Sequence, residues 1–456
     1  MSERPALVRG IGLTQATALN VNNMIGIGPF IVLPLIVADM GGPQALLCWL
    51  VGAVVAVADG MVWAELSSRL PGSGGTYVYL RQSYGPRWGL LMSFLFIWQV
   101  SIQGPLSFAG GCIGFSNYLA YLFPVLQGSG ARVAAVAVAA LVVFMLYRRI
   151  TVIGRMGVAL AIGTLVALVV TIVAGLKGFA WERITDLPPG ALDLNQHFFF
   201  GLGDASRRAI YAFLGYYNVC FIGDEVKDAA RTIPRSILLA VAVVGLLYLT
   251  MNVALLGAMP WQEVMASKYV AATVAERSFG PWAGTLVALL VLWTALASLF
   301  ALMLANSRVL FAAARDGRYF PVFARVHTKH QFPHVSLLVL GVVAAAFTLI
   351  PLGTVITSLI IIRSLVQFMG QNVGLMLLRR RSTDVPAFRM WLYPLPSLVA
   401  LTGWLFIFVT SRNFMLLGFA FVVTGVVAFL IHQGFRREWP FGPVPAPALI
   451  DRPPLG

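Results

Sequence analysis

Apolar segments of roughly 20 residues recur along nearly the whole chain, and they restrict what it can fold into. That length is what an α-helix needs to cross a lipid bilayer. Only 11% of the 456 residues are charged, whereas soluble domains carry about 25%. The pattern predicts an all-α membrane protein with twelve transmembrane helices, near residues 11–39, 44–69, 87–122, 131–147, 155–176, 205–223, 235–258, 281–312, 334–350, 353–378, 391–410 and 413–433.

The net charge of +15 does not indicate a nucleic-acid partner. With both termini in the cytoplasm, most of the 32 Lys and Arg residues fall in cytoplasmic connections, as the positive-inside rule requires. We therefore expect a multi-pass protein of the plasma (cytoplasmic) membrane, in contact with lipids and not with nucleic acid. The first ten residues lack the apolar core of a signal peptide. The three cysteines are scattered through apolar segments and predict neither a disulfide nor a metal site.

The first apolar segment is interrupted at its centre, over residues 22–30. Gly26, Gly28 and Pro29 are poor helix formers, and Pro29 lacks the N–H that a helix requires. In hydrocarbon, an unpaired backbone group costs several kcal/mol unless protein or water surrounds it. The interruption is therefore either a packed kink or the lining of a binding cavity.

A second interruption, over residues 211–218, places Gly215 and Asn218 among aromatic residues in the sixth segment. Segments 1 and 6 each begin a five-helix unit, and an odd number of helices inserts the two units in opposite orientations. Broken helices at corresponding positions of inverted repeats indicate the midplane site of a transporter, which favours the cavity. Free N–H groups of helix 1 suit a carboxylate, and carbonyls of residues 211–214 can accept from an ammonium.

This reasoning divides the chain into six regions. They are a cytoplasmic N-terminus (1–10), a first five-helix repeat (11–178), an outer loop (179–204), a second inverted repeat (205–378), two extra helices (379–433) and a Pro-rich cytoplasmic tail (434–456).

Several further features bear on a site without deciding its chemistry. Gln103 on the third helix and Arg363 on the tenth need partners inside the bundle, and Arg363 is either a structural charge or, as we favour, a functional one. Residues 71–80 are interpreted as a surface turn and interfacial helix, with a re-entrant gate segment as the alternative. Residues 269–277 are either an outer lid or a surface helix.

The motifs resemble those of the amino acid–polyamine–organocation superfamily, whose members share the LeuT-like inverted-repeat fold. Residues 25–30, Ile-Gly-Ile-Gly-Pro-Phe, are similar to its helix-1 motif, usually Ile-Gly-Ser-Gly-Ile-Phe. Residues 211–216, Tyr-Ala-Phe-Leu-Gly-Tyr, are similar to its helix-6 motif, Phe-x-Tyr-x-Gly-Trp. Matches around Glu65, at residues 73–77 and 225–234, and at the end of helix 8 extend the resemblance over nearly all twelve helices.

The resemblance implies a substrate site at the two breaks, with the carboxylate on helix 1 and the amino group on helix 6. The implied substrate-binding residues are Ile25, Gly26, Ile27, Gly28, Tyr211, Ala212, Phe213, Leu214 and Gly215. The expected gating or auxiliary residues are Asn23, Gln103, Asn218, Arg363 and Asp59. Thr294 and Ser298 stand where relatives have a sodium site, although membrane Thr and Ser often bond only their own helix.

Three positions depart from the family pattern. Ile27 replaces a serine, so a hydroxyl is missing beside the carboxylate site. Gly163 or a neighbour stands where proton-coupled relatives carry a lysine, which leaves both H⁺ and Na⁺ open as coupling ions. Arg363 is not typical of well-known members. A further residue, Asp59, resembles an acidic position of plant polyamine carriers.

The function that these observations favour is secondary active amino acid transport by alternating access, with no cofactor. A polyamine or other organic-cation transporter of the same fold is the alternative. An enzyme needs a nucleophile–base pair or a metal cluster, and the five histidines supply neither. The preferred substrate, the coupling ion and the oligomeric state are not set by the sequence.

Overall fold

The chain is all-helical in a computed structural model that describes residues 7–349, 363–382, 384–411 and 413–445. No strand occurs in these ranges, which contain only two isolated β-bridges. The helices are α1 Leu13–Met24, α2 Gly28–Met40, α3 Leu46–Arg69, α4 Thr76–Ser83, α5 Gly85–Leu122, α6 Ser129–Leu146, α7 Ile150–Lys177, α8 Trp181–Thr185, α9 Gln196–Phe213, α10 Ala229–Ala258, α11 Trp261–Ala266, α12 Val270–Phe279, α13 Pro281–Arg315, α14 His334–Phe347, α15 Gln371–Arg381, α16 Leu395–Thr410 and α17 Asn413–Arg436.

Seven of these helices are long and apolar enough to cross a membrane, and the bent pair α1–α2 makes an eighth span. Helices α14 and α16 are apolar but shorter. The start of the predicted tenth helix and residues 446–456 of the predicted tail lie outside the described ranges. The structure therefore supports a multi-pass membrane protein with seven or eight clear spans in its described part.

The predicted interruption of the first segment is confirmed. Helix α1 ends at Met24 and α2 begins at Gly28, with a bend of 41° between them. Pro29 lies in the first turn of α2, where a missing N–H costs no hydrogen bond. The three residues between the helices form the first break.

The second break is also present, but the sixth segment is less helical than the sequence predicts. Helix α9 ends at Phe213, and Gly215 adopts a φ of +124°, which L-residues rarely adopt. The chain continues as two 3₁₀ turns, Asn218–Phe221 and Gly223–Glu225. The predicted helix to residue 223 is wrong beyond Phe213, because a φ of that sign ends an α-helix.

The favoured interpretation of residues 71–80 as a surface turn is also wrong. Ser73, Thr76 and Tyr77 are buried, and the Gly74 amide donates to the Phe221 carbonyl at 3.1 Å. A Cβ on Gly75 would lie 2.5 Å from the Phe221 ring. The segment is therefore packed against the 3₁₀ turn Asn218–Phe221, and the alternative of a re-entrant gate segment stays a prediction.

The start of α1 is fastened to the chain that follows the second break. The amides of Gly10 and Ile11 donate to the Glu225 carbonyl at 2.9 and 3.0 Å, and the Lys227 amide donates to the Ile11 carbonyl at 2.9 Å. Glu225 is itself held by a fully buried bidentate ion pair with Arg308 of α13, at 2.9 Å for each bond. Backbone hydrogen bonds therefore tie the start of α1 to the chain around Glu225, and a desolvated charge pair ties that chain to α13.

Candidate functional site

The two breaks lie against each other. A Cβ on Gly215 would fall 2.3 Å from Asn23 Nδ2 and 2.8 Å from the Asn23 carbonyl carbon. A Cβ on Gly28 would lie 3.8 Å from the Tyr211 ring, which is ordinary van der Waals contact. The structure thus brings together residues that the sequence assigned to the substrate site and its surroundings, from positions 183 to 192 apart in the chain.

The first break leaves backbone donors without acceptors. Ile25 donates to Val21 at 2.8 Å and Gly26 donates to Met24 at 3.2 Å, whereas the Ile27 and Gly28 amides have no acceptor among the described residues. Both residues are partly exposed. They form the N-terminus of α2, where partial positive charge accumulates, so the position suits an anionic group.

The second break leaves carbonyls without donors. The carbonyls of Phe213 and Leu214 accept no hydrogen bond within the described part of the chain. Those of Ile210 and Tyr211 accept from the Leu214 amide at 3.1 and 3.2 Å. The two free carbonyls are therefore the groups of this break that remain available to an ammonium.

Tyr248 of α10 joins the two breaks, and the sequence reasoning missed it. Its hydroxyl lies 2.9 Å from the Met24 carbonyl and 3.3 Å from the Ala212 carbonyl. The residue is fully buried. A tyrosine in the middle of the apolar run 246–249 was a usable signal, since a buried phenol needs a polar partner.

Asparagines hold the backbone around the breaks. Asn20 accepts a bond from the Val219 amide at 3.1 Å, and Asn22 donates to the Gly157 carbonyl of α7 at 2.8 Å. The predicted Asn218 is buried, and its Nδ2 has no partner in the described part of the chain. The predicted Gln103 donates to Ser107 of its own helix at 2.6 Å and bonds neither break among the described residues.

Thr294 and Ser298 approach the first break from one face of α13. The Thr294 hydroxyl lies 3.4 Å from the Gly26 carbonyl and the Ser298 hydroxyl 3.5 Å from the Asn23 carbonyl. Thr294 also bonds the Val291 carbonyl of its own helix at 2.8 Å. Two hydroxyl oxygens and two carbonyl oxygens therefore lie close together, and oxygen ligands of this kind suit a hard cation such as Na⁺.

Gly163 of α7 faces an occupied space. A Cβ there would lie 2.2 Å from Nε1 of Trp293 and 2.6 Å from its Cε2. The indole N–H donates to the Leu160 carbonyl at 2.9 Å, which fixes the ring in this position. The space beside Gly163 is thus occupied by the Trp293 indole.

Asp59 and Arg363 each bond one of two adjacent tyrosines in the second break. Asp59 Oδ2 accepts from the Tyr216 hydroxyl at 2.5 Å and from the Trp63 indole at 2.9 Å. Arg363 lies 3.3 Å from the Tyr217 hydroxyl, and the Tyr217 ring stacks on Trp63 with centroids 4.3 Å apart.

Two glutamines that follow Arg363 at intervals of four residues, Gln367 and Gln371, form a polar stripe that faces protein. Gln367 accepts from Gln99 at 3.0 Å, and Gln371 accepts from Thr76 at 2.6 Å. Both glutamines are buried. Part of the stripe is π-helical over Ser364–Gly370, a form that is frequent at functional sites.

Comparison with known protein families identifies the family of this chain. The family model described as Amino acid permease matches residues 11–436. The chain belongs to the amino acid permease family. This permease lies within the amino acid–polyamine–organocation superfamily, so the resemblance drawn from the helix-1 and helix-6 motifs is confirmed.

Individual relatives of the permease are transporters by name. It is 29% identical to the human Asc-type amino acid transporter 1, over 96% of this chain and 84% of the relative. It is 29% identical to the human large neutral amino acids transporter small subunit 2, over 93% and 81%. An uncharacterized transporter of Mycobacterium tuberculosis is 32% identical, over 75% of this chain and 73% of the relative.

Proposed function

We propose that this permease is a secondary active amino acid transporter that works by alternating access. In this proposal it has twelve transmembrane helices, ten of them in two inverted five-helix repeats, and lies in the plasma (cytoplasmic) membrane with both termini inside. The observation that carries the proposal is the contact between the two breaks. The free amides of Ile27 and Gly28 belong to one break and the free carbonyls of Phe213 and Leu214 to the other, which supports a site that uses both.

A zwitterion matches this arrangement because it presents a carboxylate and an ammonium on one carbon. The amides bind the carboxylate at the N-terminus of α2, and the carbonyls bind the ammonium. Ile27 offers no hydroxyl, and its side chain lies where a Cβ on Gly114 would meet it at 3.2 Å. The carboxylate therefore depends on backbone donors, and the amino acid's side chain is recognised elsewhere in the site.

The test is uptake into proteoliposomes that contain the purified permease. A panel of radiolabelled amino acids is offered under an imposed pH gradient, with and without Na⁺. Saturable uptake that concentrates one class of amino acid is the expected result. Uptake that never saturates and never concentrates would indicate a channel.

A blocked-site variant checks the location of the site. Gly28→Leu places an isobutyl group beside Tyr211 at the carboxylate position, and Gly28→Ala adds only a methyl group with room to spare. We expect the leucine variant to insert normally and to lose uptake, and the alanine variant to retain it. Normal transport by Gly28→Leu would show that the site lies elsewhere.

A polyamine or other organic cation is the second candidate substrate, and Asp59 is the observation that favours it. A buried carboxylate that bonds a residue of the break would attract a second amino group. The basic Arg363 near the same break opposes a substrate of net positive charge. Putrescine uptake measured beside amino acid uptake separates the two candidates.

A further inference from the structure

Asp59 is a buried carboxylate without a cation. It lies in the middle of α3 with 1% of its surface exposed. Within the described residues, no Lys, Arg or His nitrogen lies within ion-pair distance of it, and its Oδ1 has no hydrogen-bond partner. An ionised carboxylate in such surroundings costs several kcal/mol unless it is paired or takes up a proton.

Glu65, less than two turns further along α3, shows how the same helix holds a carboxylate that stays charged. Glu65 accepts from the guanidinium groups of Arg69 and Arg379 and from the Met390 amide. Two positive charges and a backbone donor compensate its burial. Among the described residues the donors around Asp59 are all neutral: Tyr216 and Trp63 bond its Oδ2, and the Trp404 indole of α16 is a third neighbour.

Few charged or titratable groups surround Asp59. The second break offers Tyr216 and Tyr217, and Arg363 bonds the Tyr217 hydroxyl. Helix α16, which packs on α3, contains no titratable side chain, and the arginines of α15 follow residue 378, where Arg379 pairs with Glu65. In α10, Arg231 and Arg235 belong to the first two turns, and Tyr248 bonds the break carbonyls instead. In α9, Arg207 pairs with Asp204 and Arg208 pairs with Asp39. Both arginines precede Tyr211 in the chain.

The bond to Tyr216 connects this carboxyl to the segment on which transport depends. Tyr216 follows Gly215 directly, in the irregular chain between α9 and the first 3₁₀ turn. A rearrangement of the second break moves the Tyr216 hydroxyl, and it thereby changes both the donors around Asp59 and its access to water. A carboxyl whose charged form is stabilised in one conformation and not in another couples proton binding to that change.

We propose that Asp59 carries the proton that drives transport by this permease. The proposal rests on the function proposed above. In each cycle one proton from the outer solution binds a carboxylate oxygen of Asp59, and the same proton leaves to the inner solution. No bond between heavy atoms forms or breaks, and no electrons are transferred.

The first experiment separates exchange from accumulation in proteoliposomes with the full chain. Asp59→Asn keeps an acceptor for Tyr216 and Trp63 and cannot ionise. A pH difference of one unit drives about tenfold accumulation when one proton moves with each substrate molecule. We expect the wild-type permease to reach such accumulation and Asp59→Asn to reach none, while amino acid exchange between equal pH values continues in both.

Each other outcome is informative. Proton-driven accumulation by Asp59→Asn would overturn the proposal, as would loss of exchange or a selective loss of putrescine uptake, which would indicate a structural or substrate-binding role. Accumulation by the wild type that requires Na⁺ and ignores pH would overturn it too. A wild type that exchanges no amino acid at all would instead refute the proposed function, because exchange between equal pH values requires no net movement of protons.

A second experiment uses the adjacent tyrosines as a matched pair. Tyr216→Phe removes a donor that stabilises the ionised carboxylate, so the pH of half-maximal uptake should move upward. Tyr217→Phe removes a hydroxyl that bonds Arg363 and should leave that pH unchanged. A purely structural effect would lower the rate of uptake in either variant without changing the pH of half-maximal uptake. Equal midpoints in both variants and the wild type would contradict the proposal.

Discussion

The contact between the two breaks makes Gly215→Ala a sharp test of the site. Gly215 has a φ of +124°, and an added Cβ would lie 2.8 and 2.9 Å from the backbone carbonyl atoms of Asn23. The Asn23 side chain can move aside, but its backbone cannot move without displacing α1. The substitution therefore separates the first break from the second.

The cost follows from two contributions. A non-glycine residue in such a backbone conformation costs of order 1–3 kcal/mol. Inserting a methyl group into a packed contact costs about 1–3 kcal/mol more. Even the lower sum, about 2 kcal/mol, disfavours this conformation roughly 30-fold. We expect initial uptake to fall by at least that factor, since the substrate groups of the two breaks no longer face each other.

The assay is initial-rate uptake into proteoliposomes matched for protein content, with size-exclusion chromatography as the check on folding. Gly28→Ala is the control because its added Cβ meets Tyr211 at an ordinary 3.8 Å. It should transport within a few-fold of the wild type. If Gly215→Ala transports as fast as Gly28→Ala while both remain monodisperse, the close approach of the breaks does not matter for binding and the reasoning fails.

Three further predictions concern contacts around the breaks. Tyr248→Phe leaves the Met24 and Ala212 carbonyls without their shared donor and should lower stability by about 1–3 kcal/mol, which a thermal-shift measurement would detect; an unchanged melting temperature would contradict that role. Arg308→Ala leaves Glu225 buried without its cation, at a cost of about 3–5 kcal/mol; Arg308→Lys should recover part of the loss in the same measurement. Ser298→Ala removes the hydroxyl beside the first break, so uptake should not respond to Na⁺ in this variant if the wild type does; a retained response would exclude this cation site.

The sequence predicts the helices well because lipid imposes a simple pattern. The bounds of α3, α5 and α13 lie within about three residues of the predicted segments. The first break is predictable for the same reason, since glycine and proline act locally on the backbone. Gly215 indicates the second break, but not that the chain leaves the α-helix for two 3₁₀ turns.

The contacts across the breaks are not predictable from local pattern. Tyr248 reaches Met24 across 224 positions, and Thr76 reaches Gln371 across 295. Residues 73–77 contain glycines typical of a surface turn, and only the packing of Phe221 against Gly75 shows that the turn is buried. Such pairings depend on how the helices assemble, and a single sequence contains no record of that assembly.

The indole against Gly163 has a consequence for how this permease can evolve. A lysine at position 163 would need the volume that Trp293 fills, because even a methyl group there would lie 2.2 Å from the indole nitrogen. A larger side chain at position 163 is therefore accommodated only if the Trp293 ring, which is 41% exposed, turns away or is replaced by a smaller side chain. Either change breaks the bond to the Leu160 carbonyl. Substitutions at positions 163 and 293 are thus expected to occur together.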